Sequence, residues 1–225
     1  MEEQKKMELK FGITGFQLKV IAIITMLIDH IGYVCFPEVE VLRVIGRLAF
    51  PIFAFFIAEG AYYTSNIRKY EMRLLLFALI SEVPFDMAFY GEWCYLGHQN
   101  VFFTLLAGLV IIDLQKNFNK IISSIAFVII AVGCQLLHTD YGVYGVVLIL
   151  MFYYLRDNQK IACGTTAGFN FICNIGKIQC FSALSSVLLL FYNGQRGRKM
   201  RWIFYLFYPA HLTVLAILKF YGITP

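Results

Sequence analysis

The sequence has few charged residues for its length. Charged side chains make up 15% of the 225 residues, against about 25% in soluble domains. Hydrophobic residues make up 60%, against about 45–50% in soluble domains. One core cannot bury that much apolar surface, so a soluble globular protein is excluded. The composition predicts an integral membrane protein whose excess apolar side chains face lipid.

The sequence also lacks the spacings that mark metal sites and disulfide frameworks. None of the 6 cysteines forms a CxxC pair, and most lie in apolar runs, where cysteine behaves as a small hydrophobic residue. The 4 histidines show no HxxxH spacing, so we expect no metal site. The net charge is +5. In a membrane protein such an excess of cations indicates which loops lie in the cytoplasm, so we expect no nucleic-acid partner.

No cleaved signal peptide and no internal repeat is recognisable. Asp29 and His30 interrupt the first apolar run, and no small-residue cleavage site follows them. Residues 1–17 are therefore predicted to form a cytoplasmic N-terminal segment. Residues 18–225 are predicted to form a single transmembrane helical domain with short loops.

Nine apolar segments come close to the ~20 residues that a helix needs to cross a bilayer. They are residues 18–36, 44–63, 72–90, 101–114, 121–137, 142–155, 161–175, 178–192 and 202–221. The middle segments are short, and local thinning of the membrane accommodates short spans. The chain is thus predicted to be an all-α, polytopic membrane protein with about nine transmembrane helices.

Nine spans require the loop charges to alternate between the two sides, and they do. On one side lie 15 of the 19 Lys and Arg residues. These are Lys5, Lys6, Lys10, Lys19, Arg68, Lys69, Arg73, Lys116, Lys120, Arg156, Lys160, Arg196, Arg198, Lys199 and Arg201. Cations mark the cytoplasmic side, so the N-terminus is predicted in the cytoplasm and the C-terminus outside.

Several ionisable residues lie within the segments, where each costs roughly 2.5–3.5 kcal/mol. The predicted topology places Asp29, His30, Arg47, Glu82, Asp86, His98, Asn100 and Asp140 near the outer face, and His211 lies mid-span. His30 is the best candidate for proton transfer near neutral pH. Adjacent residues point about 100° apart on a helix, so a carboxylate from another span is expected to orient His30.

Structural roles stay open for several of these residues. Arg47 can neutralise Asp29 or Glu82 as an ion pair, and His211 can be a hydrogen-bonded core histidine. The loop cations can serve only as a topology signal. For Arg47, the structural role is compatible with a functional one.

A set of motifs in a fixed order resembles the TraX family of membrane proteins. They are GFQLK (15–19), IDHIG (28–32), IGRLAFPIF (45–53), EG (59–60), SEVPFD (81–86), HQNVFFT (98–104), DYGVYG (140–145), YNG (192–194) and FYLFYPAH (204–211). The resemblance implies a multi-pass protein of a bacterial inner membrane. It further implies an acetyl-CoA-dependent acyltransferase, such as an enzyme that acetylates the N-terminus of pilin in a conjugation system. The implied acceptor is a pilin or peptide N-terminal amine, or a surface glycan.

The residues suggest a mechanism under that reading. His30 is the general base, Glu82 or Asp86 orients it, and Arg47 or Asn100 stabilises the oxyanion. The candidate catalytic set is His30, Asp29, Arg47, Glu82, Asp86, Asn100 and His211. The predicted binding site for the donor phosphates comprises Arg68, Lys69, Arg73, Arg196, Arg198, Lys199 and Arg201.

Other interpretations remain open at this point. An acyl-histidine intermediate is a variant of the same chemistry. The intramembrane acids and histidines also fit a small proton-coupled transporter. A third possibility is a non-catalytic assembly factor for a surface apparatus, which would tolerate the loss of His30.

Overall fold

The computed structural model describes residues 11–199 and 201–223, and of Arg201 only the backbone. Within these ranges the chain is helical, with two isolated bridges and no strand. The predictions for Lys5, Lys6, Lys10 and the Arg201 side chain lie outside the described part, as do those for the rest of residues 1–10.

The helices follow the predicted apolar segments. They are α1 (Gly15–Cys35), α2 (Glu40–Gly46), α3 (Ala49–Tyr63), α4 (Ile67–Phe89), α5 (Val101–Asn117), α6 (Lys120–Leu136), α7 (Gly142–Tyr154), α8 (Gln159–Ile172), a 3₁₀-helix (Ile178–Leu184), α9 (Ser185–Leu190) and α10 (Arg201–Phe220). The all-helical fold is therefore confirmed for the described residues. By length and composition, Gly15–Cys35, Glu40–Tyr63 and Trp202–Phe220 can cross a membrane. The count of nine spans stays a prediction.

The second predicted segment is broken between α2 and α3. Arg47 and Leu48 form the break, directly after Gly46. Pro51 lies in the first turn of α3, where its missing N–H costs no helical hydrogen bond. Because the Arg47 backbone N–H donates to the Arg43 carbonyl at 3.2 Å, the two arginines lie one turn apart on the same face.

Three predicted segments form elements shorter than the ~30 Å hydrocarbon layer. With 13 and 14 residues, α7 and α8 are each about 20 Å long at ~1.5 Å per residue. The eighth segment, residues 178–192, divides into a 3₁₀-helix of 7 residues and α9 of 6 residues. These two elements pack against α8 and α3.

The start of α1 is held by local and long-range hydrogen bonds. Thr14 and Gln17 form a capping box, with the Gln17 backbone N–H donating to Thr14 Oγ1 at 3.3 Å. Upstream, the Ile13 backbone N–H donates to the Phe191 carbonyl at 2.8 Å, and the Asn193 N–H donates to the Ile13 carbonyl at 3.1 Å. The loop after α9 is thereby fixed to the first turn of α1.

The core lies among α1, α3, α4, α5, α7 and α10, whereas α6 stands at the edge. Leu18, Ile52, Leu109, Leu148 and Leu212 are fully buried in this core. Along α6, by contrast, an apolar stripe is at least half exposed. It comprises Ile121, Ile125, Val128, Ile129, Val132 and Leu136. Such a stripe is stable where it faces lipid rather than water.

The polar contacts between helix ends define two ends of the bundle. At one end, the Lys116 amine donates to the Ala61 carbonyl at 2.6 Å, and Arg156 lies 3.9 Å from Glu59. At the other end, residues 99 and 139 form a parallel bridge, and the Lys219 amine donates to the Ala88 and Phe89 carbonyls at 3.1 Å. We call the first, which also carries Lys19, Arg73 and Arg196, the basic end. The second, which carries His30 and His98, is the histidine end.

Gly46→Ala is expected to destabilise the fold by about 3 kcal/mol or more, because it separates a buried ion pair. An added Cβ at Gly46 would overlap the Cβ and carboxylate of Asp29. The free energy of unfolding in detergent measures the effect. Gly133→Ala is the matched control, because nothing lies within 4 Å of a Cβ there. Equal stability of the two variants would contradict a required close approach at Gly46.

Candidate active site

Two histidines from distant parts of the chain meet inside the bundle. His30 Nδ1 on α1 lies 2.7 Å from His211 Nε2 on α10. The two rings are nearly parallel, with centroids 5.0 Å apart. His211 is buried, and His30 is partly buried against the edges of Phe89 and Tyr208. The predicted candidates His30 and His211 are therefore direct partners.

The hydrogen bonds of this pair determine its tautomers. His211 Nδ1 lies 2.7 Å from the Phe207 carbonyl oxygen, which can only accept, so His211 Nδ1 carries a proton. With both rings neutral, His211 Nε2 is then an acceptor and His30 Nδ1 donates to it. His30 Nε2 is left with a free lone pair, and no described residue donates to it. A positioned imidazole in this state can accept a proton.

The neighbouring residue, Asp29, is neutralised by two arginines of α2 and its C-terminal cap. Arg43 Nη1 donates to Asp29 Oδ2 at 2.8 Å and to the Asp29 carbonyl at 3.1 Å. Arg47 donates to the other carboxylate oxygen and also to Gln179 Oε1 at 3.0 Å. The predicted pairing of Arg47 with an acid is confirmed for Asp29. Since Asp29 is buried, this pairing compensates the cost of removing its charge from water.

The prediction that Glu82 or Asp86 orients His30 is wrong, because His211 occupies that position. The Glu82 carboxylate instead accepts a hydrogen bond from the Asn100 amide, and Asp86 Oδ2 accepts from the Tyr95 backbone N–H at 2.8 Å. Both acids lie on the side of α4 that faces the loop before α5. They therefore anchor this loop.

Asn100 does not have a free amide for an oxyanion either. Its side-chain oxygen accepts from the Phe102 N–H at 3.0 Å as the N-cap of α5, and its NH₂ donates to Glu82 and to the Ala78 carbonyl at 2.8 Å. The residue is fully buried. It is a helix cap and loop anchor, and an Asn directly before an apolar run is a recognisable sequence signal for that role.

A histidine–acid pair lies at the histidine end, outside the membrane segments. The parallel bridge between residues 99 and 139 brings His98 Nε2 to 3.4 Å from Asp140 Oδ1. The hydrogen bond and negative charge of Asp140 raise the pKa of His98, although partial burial acts in the opposite direction. His98 is thus held closer to its charged form than an isolated histidine.

His30 and His98 line one cavity of about 190 Å³ at the histidine end, which we call the histidine cavity. Asp29, Arg43, Arg47 and Asp140 also line it, together with the rings of Phe50, Phe85, Phe89, Tyr33, Tyr90, Tyr141 and Tyr208. Polar groups on an otherwise aromatic wall are the usual composition of a ligand site. Glu82, Asp86 and Asn100 are absent from this wall, in agreement with their anchoring role.

A larger cavity of about 690 Å³ opens at the basic end, and we call it the basic cavity. Its wall carries five cations and one acid, namely Lys19, Arg73, Arg196, Arg198, Lys199 and Glu59. The Lys19 amine lies 4.5 Å from the centroid of the Phe56 ring, and the Arg73 guanidinium lies 5.5 Å from that of Tyr70. Arg73 Nε is buried and lacks a hydrogen-bond partner among the described residues.

The structure divides the predicted donor-binding cations into two groups. Arg73, Arg196, Arg198 and Lys199 line the basic cavity. Arg68 and Lys69 do not, and the Arg68 side chain is 79% exposed and lies 3.6 Å from Asp113. Both residues lie in the first turn of α4 and are exposed. Arg73, about one turn farther along α4, lines the cavity instead.

Sequence reasoning missed three residues of the two cavities. Arg43 stands four positions before Arg47, a spacing that would have placed both on one helix face. Lys19 was counted as a topology signal, although it lines the basic cavity. Tyr208 lines both cavities and contacts His30, and no sequence signal separates it from the other aromatic residues of α10.

Apolar helices that enclose a histidine pair beside an internal cavity define a helical membrane protein with an internal site. The profile described as "TraX protein" matches residues 14–219. The chain is 30% identical over 244 residues to the "Probable fimbrial assembly protein FimC, serogroup H1" of Dichelobacter nodosus, covering 96% of this chain and 99% of that protein. It is 38% identical over 72 residues to an uncharacterized protein of Rickettsia prowazekii (strain Madrid E), covering 31% of this chain and 27% of that protein. No solved structure matches.

The chain therefore belongs to the TraX family, as its motifs predicted. This is a family of membrane proteins related to pilin assembly and modification. The profile includes His30, His211 and the cations that line the basic cavity.

Asp140→Asn is expected to lower the pKa of His98, because the partner that raises it loses its charge. The stabilisation by the pair is present in full below the unfolded-state pKa of about 6.5. It is lost as the pH rises through the higher folded-state pKa. Since both side chains are about one-third exposed, at 33% and 37%, the contribution is within about 1 kcal/mol.

The pKa of His98 in the wild type and in Asp140→Asn is measured by NMR titration of the histidine ring protons. His138→Asn is the control, because the His138 backbone has a φ of 50°, which Asn tolerates. This control is expected to leave the His98 titration unchanged. An unaltered His98 titration in Asp140→Asn would show that the pair does not form in solution.

Proposed function

We propose that this protein is a membrane acyltransferase that moves an acetyl group from acetyl-CoA to an acceptor in the histidine cavity. The observation that carries the proposal is the position of the His30–His211 pair, beside the junction of the basic cavity and the histidine cavity. Tyr208 lines both cavities, and its ring lies 6.0 Å from the ring of His30. A donor in one cavity and an acceptor in the other can thus reach the same imidazole.

The basic cavity suits a donor that carries several phosphates. Five cations against one acid give its wall an excess of positive charge, and Arg73 Nε is an available donor. Guanidinium and ammonium groups form charge-assisted hydrogen bonds with phosphate oxygens. Lys19 and His30 are about 16 Å apart along α1, at ~1.5 Å per residue, so the extended arm of coenzyme A has to run along this helix.

The charge distribution also supports the proposed orientation in the membrane. The loops that meet at the basic end carry most of the cations, which favours the cytoplasmic side for that end. Acetyl-CoA is cytoplasmic, so the donor enters from there. We propose an N-terminus in the cytoplasm, nine spans, a C-terminus outside and a location in the bacterial inner membrane. The histidine cavity then faces the outer side, and coenzyme A itself never crosses.

The proposed chemistry is direct transfer. His30 Nε2 takes a proton from the acceptor amine or hydroxyl while that nitrogen or oxygen attacks the thioester carbonyl. Arg43 and Arg47 line the cavity and stabilise the negative charge that develops on the carbonyl oxygen. Such stabilisation typically lowers the activation free energy by about 3–4 kcal/mol. The carbon–sulfur bond then breaks, and the leaving thiolate takes up the proton from His30. His211 keeps His30 in the required tautomer.

The proposed acceptor is the N-terminal amine of a pilin-like protein or peptide, with a surface glycan as the alternative. The family relation to pilin and the printed name of the Dichelobacter relative support an acceptor from a surface fibre. The same name also favours a second function, a non-catalytic assembly factor. That function would not require the His30–His211 pair.

His30→Ala is expected to lower acetyl transfer by about 10²–10⁴-fold, the usual contribution of a general base. The measurement uses purified protein in lipid, labelled acetyl-CoA and a synthetic peptide with a free N-terminal amine. His138→Asn is the control, because it removes a histidine outside both cavities and Asn tolerates the φ of 50° at this position. Full activity of a folded His30→Ala would refute the proposed mechanism. If wild type neither binds acetyl-CoA nor transfers acetyl, an assembly factor or a proton-coupled transporter becomes the better interpretation.

Arg198→Glu is expected to raise the Kd for acetyl-CoA about tenfold or more, because hydrogen bonds to charged groups contribute roughly 1.5–3 kcal/mol. The rate at saturating donor should change little, since Arg198 lines the basic cavity, whereas His30 lines the histidine cavity. Lys69→Glu is a matched control, because Lys69 is an exposed cation of the same end and lies outside the cavity. Calorimetric titration gives both affinities. An equal loss of affinity in the two variants would indicate a general charge effect rather than a site.

A further inference from the structure

We propose that the junction of the two cavities limits the length of the acyl chain that this protein transfers to short chains such as acetyl. Four residues line both cavities, namely Met26, Phe53, Val101 and Tyr208. We call them the neck. This inference rests on the proposed acyltransferase function and adds to it the residues that determine donor specificity.

The neck is built from four different helices, so it closes around the passage on several sides. Met26 belongs to α1, Phe53 to α3, Val101 to α5 and Tyr208 to α10. Met26 and Tyr208 are buried, with 8% and 3% of their surface exposed. A donor bound at the basic end has to pass between these side chains before its thioester reaches the histidine cavity.

The neck lies directly beside His30. Met26 and His30 are four residues apart on α1 and therefore share a face, with Met26 one turn nearer the basic end. The Tyr208 ring packs edge-on against His30 and also against Phe102, at 5.2 Å between centroids. Tyr208 is therefore a fixed wall, whereas Met26 has the more adaptable side chain.

The four neck residues are also part of the wall of the histidine cavity, and the small size of that cavity limits the length of the acyl chain. The acyl group is the leading end of the donor, so any carbon beyond the carbonyl has to enter the histidine cavity. That cavity is about 190 Å³, compared with about 690 Å³ for the basic cavity, and it must also hold the reacting group of the acceptor. Each methylene that a pocket cannot accommodate lowers kcat/KM by roughly 10–200-fold.

Truncation of the neck is expected to extend the range of donors. Wild type, Met26→Ala and Phe53→Ala are compared with acetyl-CoA, butyryl-CoA and hexanoyl-CoA, using the same synthetic peptide as acceptor. The measured quantity is kcat/KM for each donor. We expect wild type to prefer acetyl over butyryl by at least about tenfold, and Met26→Ala to reduce that preference by about tenfold.

Leu148→Ala is the matched control for loss of packing. Leu148 is fully buried on α7 and lines neither cavity. Its truncation is expected to lower stability while the preference among the three donors stays that of wild type. The opposite change, Val101→Phe, narrows the neck. It is expected to abolish acetyl transfer even at saturating acetyl-CoA, because the thioester no longer reaches the histidine cavity.

The outcomes separate this proposal from the function on which it rests. Transfer of acetyl by wild type with the same chain-length preference in Met26→Ala and Phe53→Ala would overturn the neck and leave the acyltransferase function standing. Equal use of all three donors by wild type would do the same. No transfer of any acyl group by wild type would overturn both. A changed preference in Leu148→Ala would assign the effect to general loosening rather than to the neck.

Discussion

The buried carboxylate of Asp29 is the constraint on which the arrangement of the site depends. Arg43 and Arg47 hold it from one side, and Gly46 permits the close approach of α1 and α2. Because Asp29 is fixed against α2, the rotation of α1 about its axis is fixed as well. His30, the next residue, then points about 100° away, toward α10. One ion-pair cluster therefore determines which helix the histidine meets.

The position of His211 follows from a second set of contacts. α10 packs against α4 and α1, and Lys219 at its end donates to the last carbonyls of α4. A cation at the C-terminus of a helix is favourable because the helix dipole is negative there. This contact and the packing set the axial position of α10 beside α1. The 2.7 Å contact between His30 and His211 results from both the rotation of α1 and the register of α10.

The helical fold class and most residues of the polar cluster could be predicted from the sequence, because apolar runs and intramembrane charges are local signals. The sequence was sufficient for His30, Asp29, Arg47 and His211 as separate candidates. It was not sufficient for the pairing, because the partner of His30 depends on the axial position and rotation of a helix 181 residues away. Glu82 was assigned that role from its depth alone, whereas depth does not tell which side of the bundle a residue faces. The 3₁₀-helix at residues 178–184 was not predicted either, because the apolar segment 178–192 has the composition of an α-helix.

The distance along the chain between the two histidines has a consequence for biosynthesis. Residues 30 and 211 are separated by 181 positions, and His211 lies on the last described helix. A nascent chain inserts its segments in order from the N-terminus. The contact between His30 and His211 therefore cannot form until α10 has entered the membrane. During that interval the chain lacks the partner that fixes the tautomer of His30. The histidine pair is thus assembled only after α10 has been synthesised and inserted, and a chain truncated before α10 lacks it.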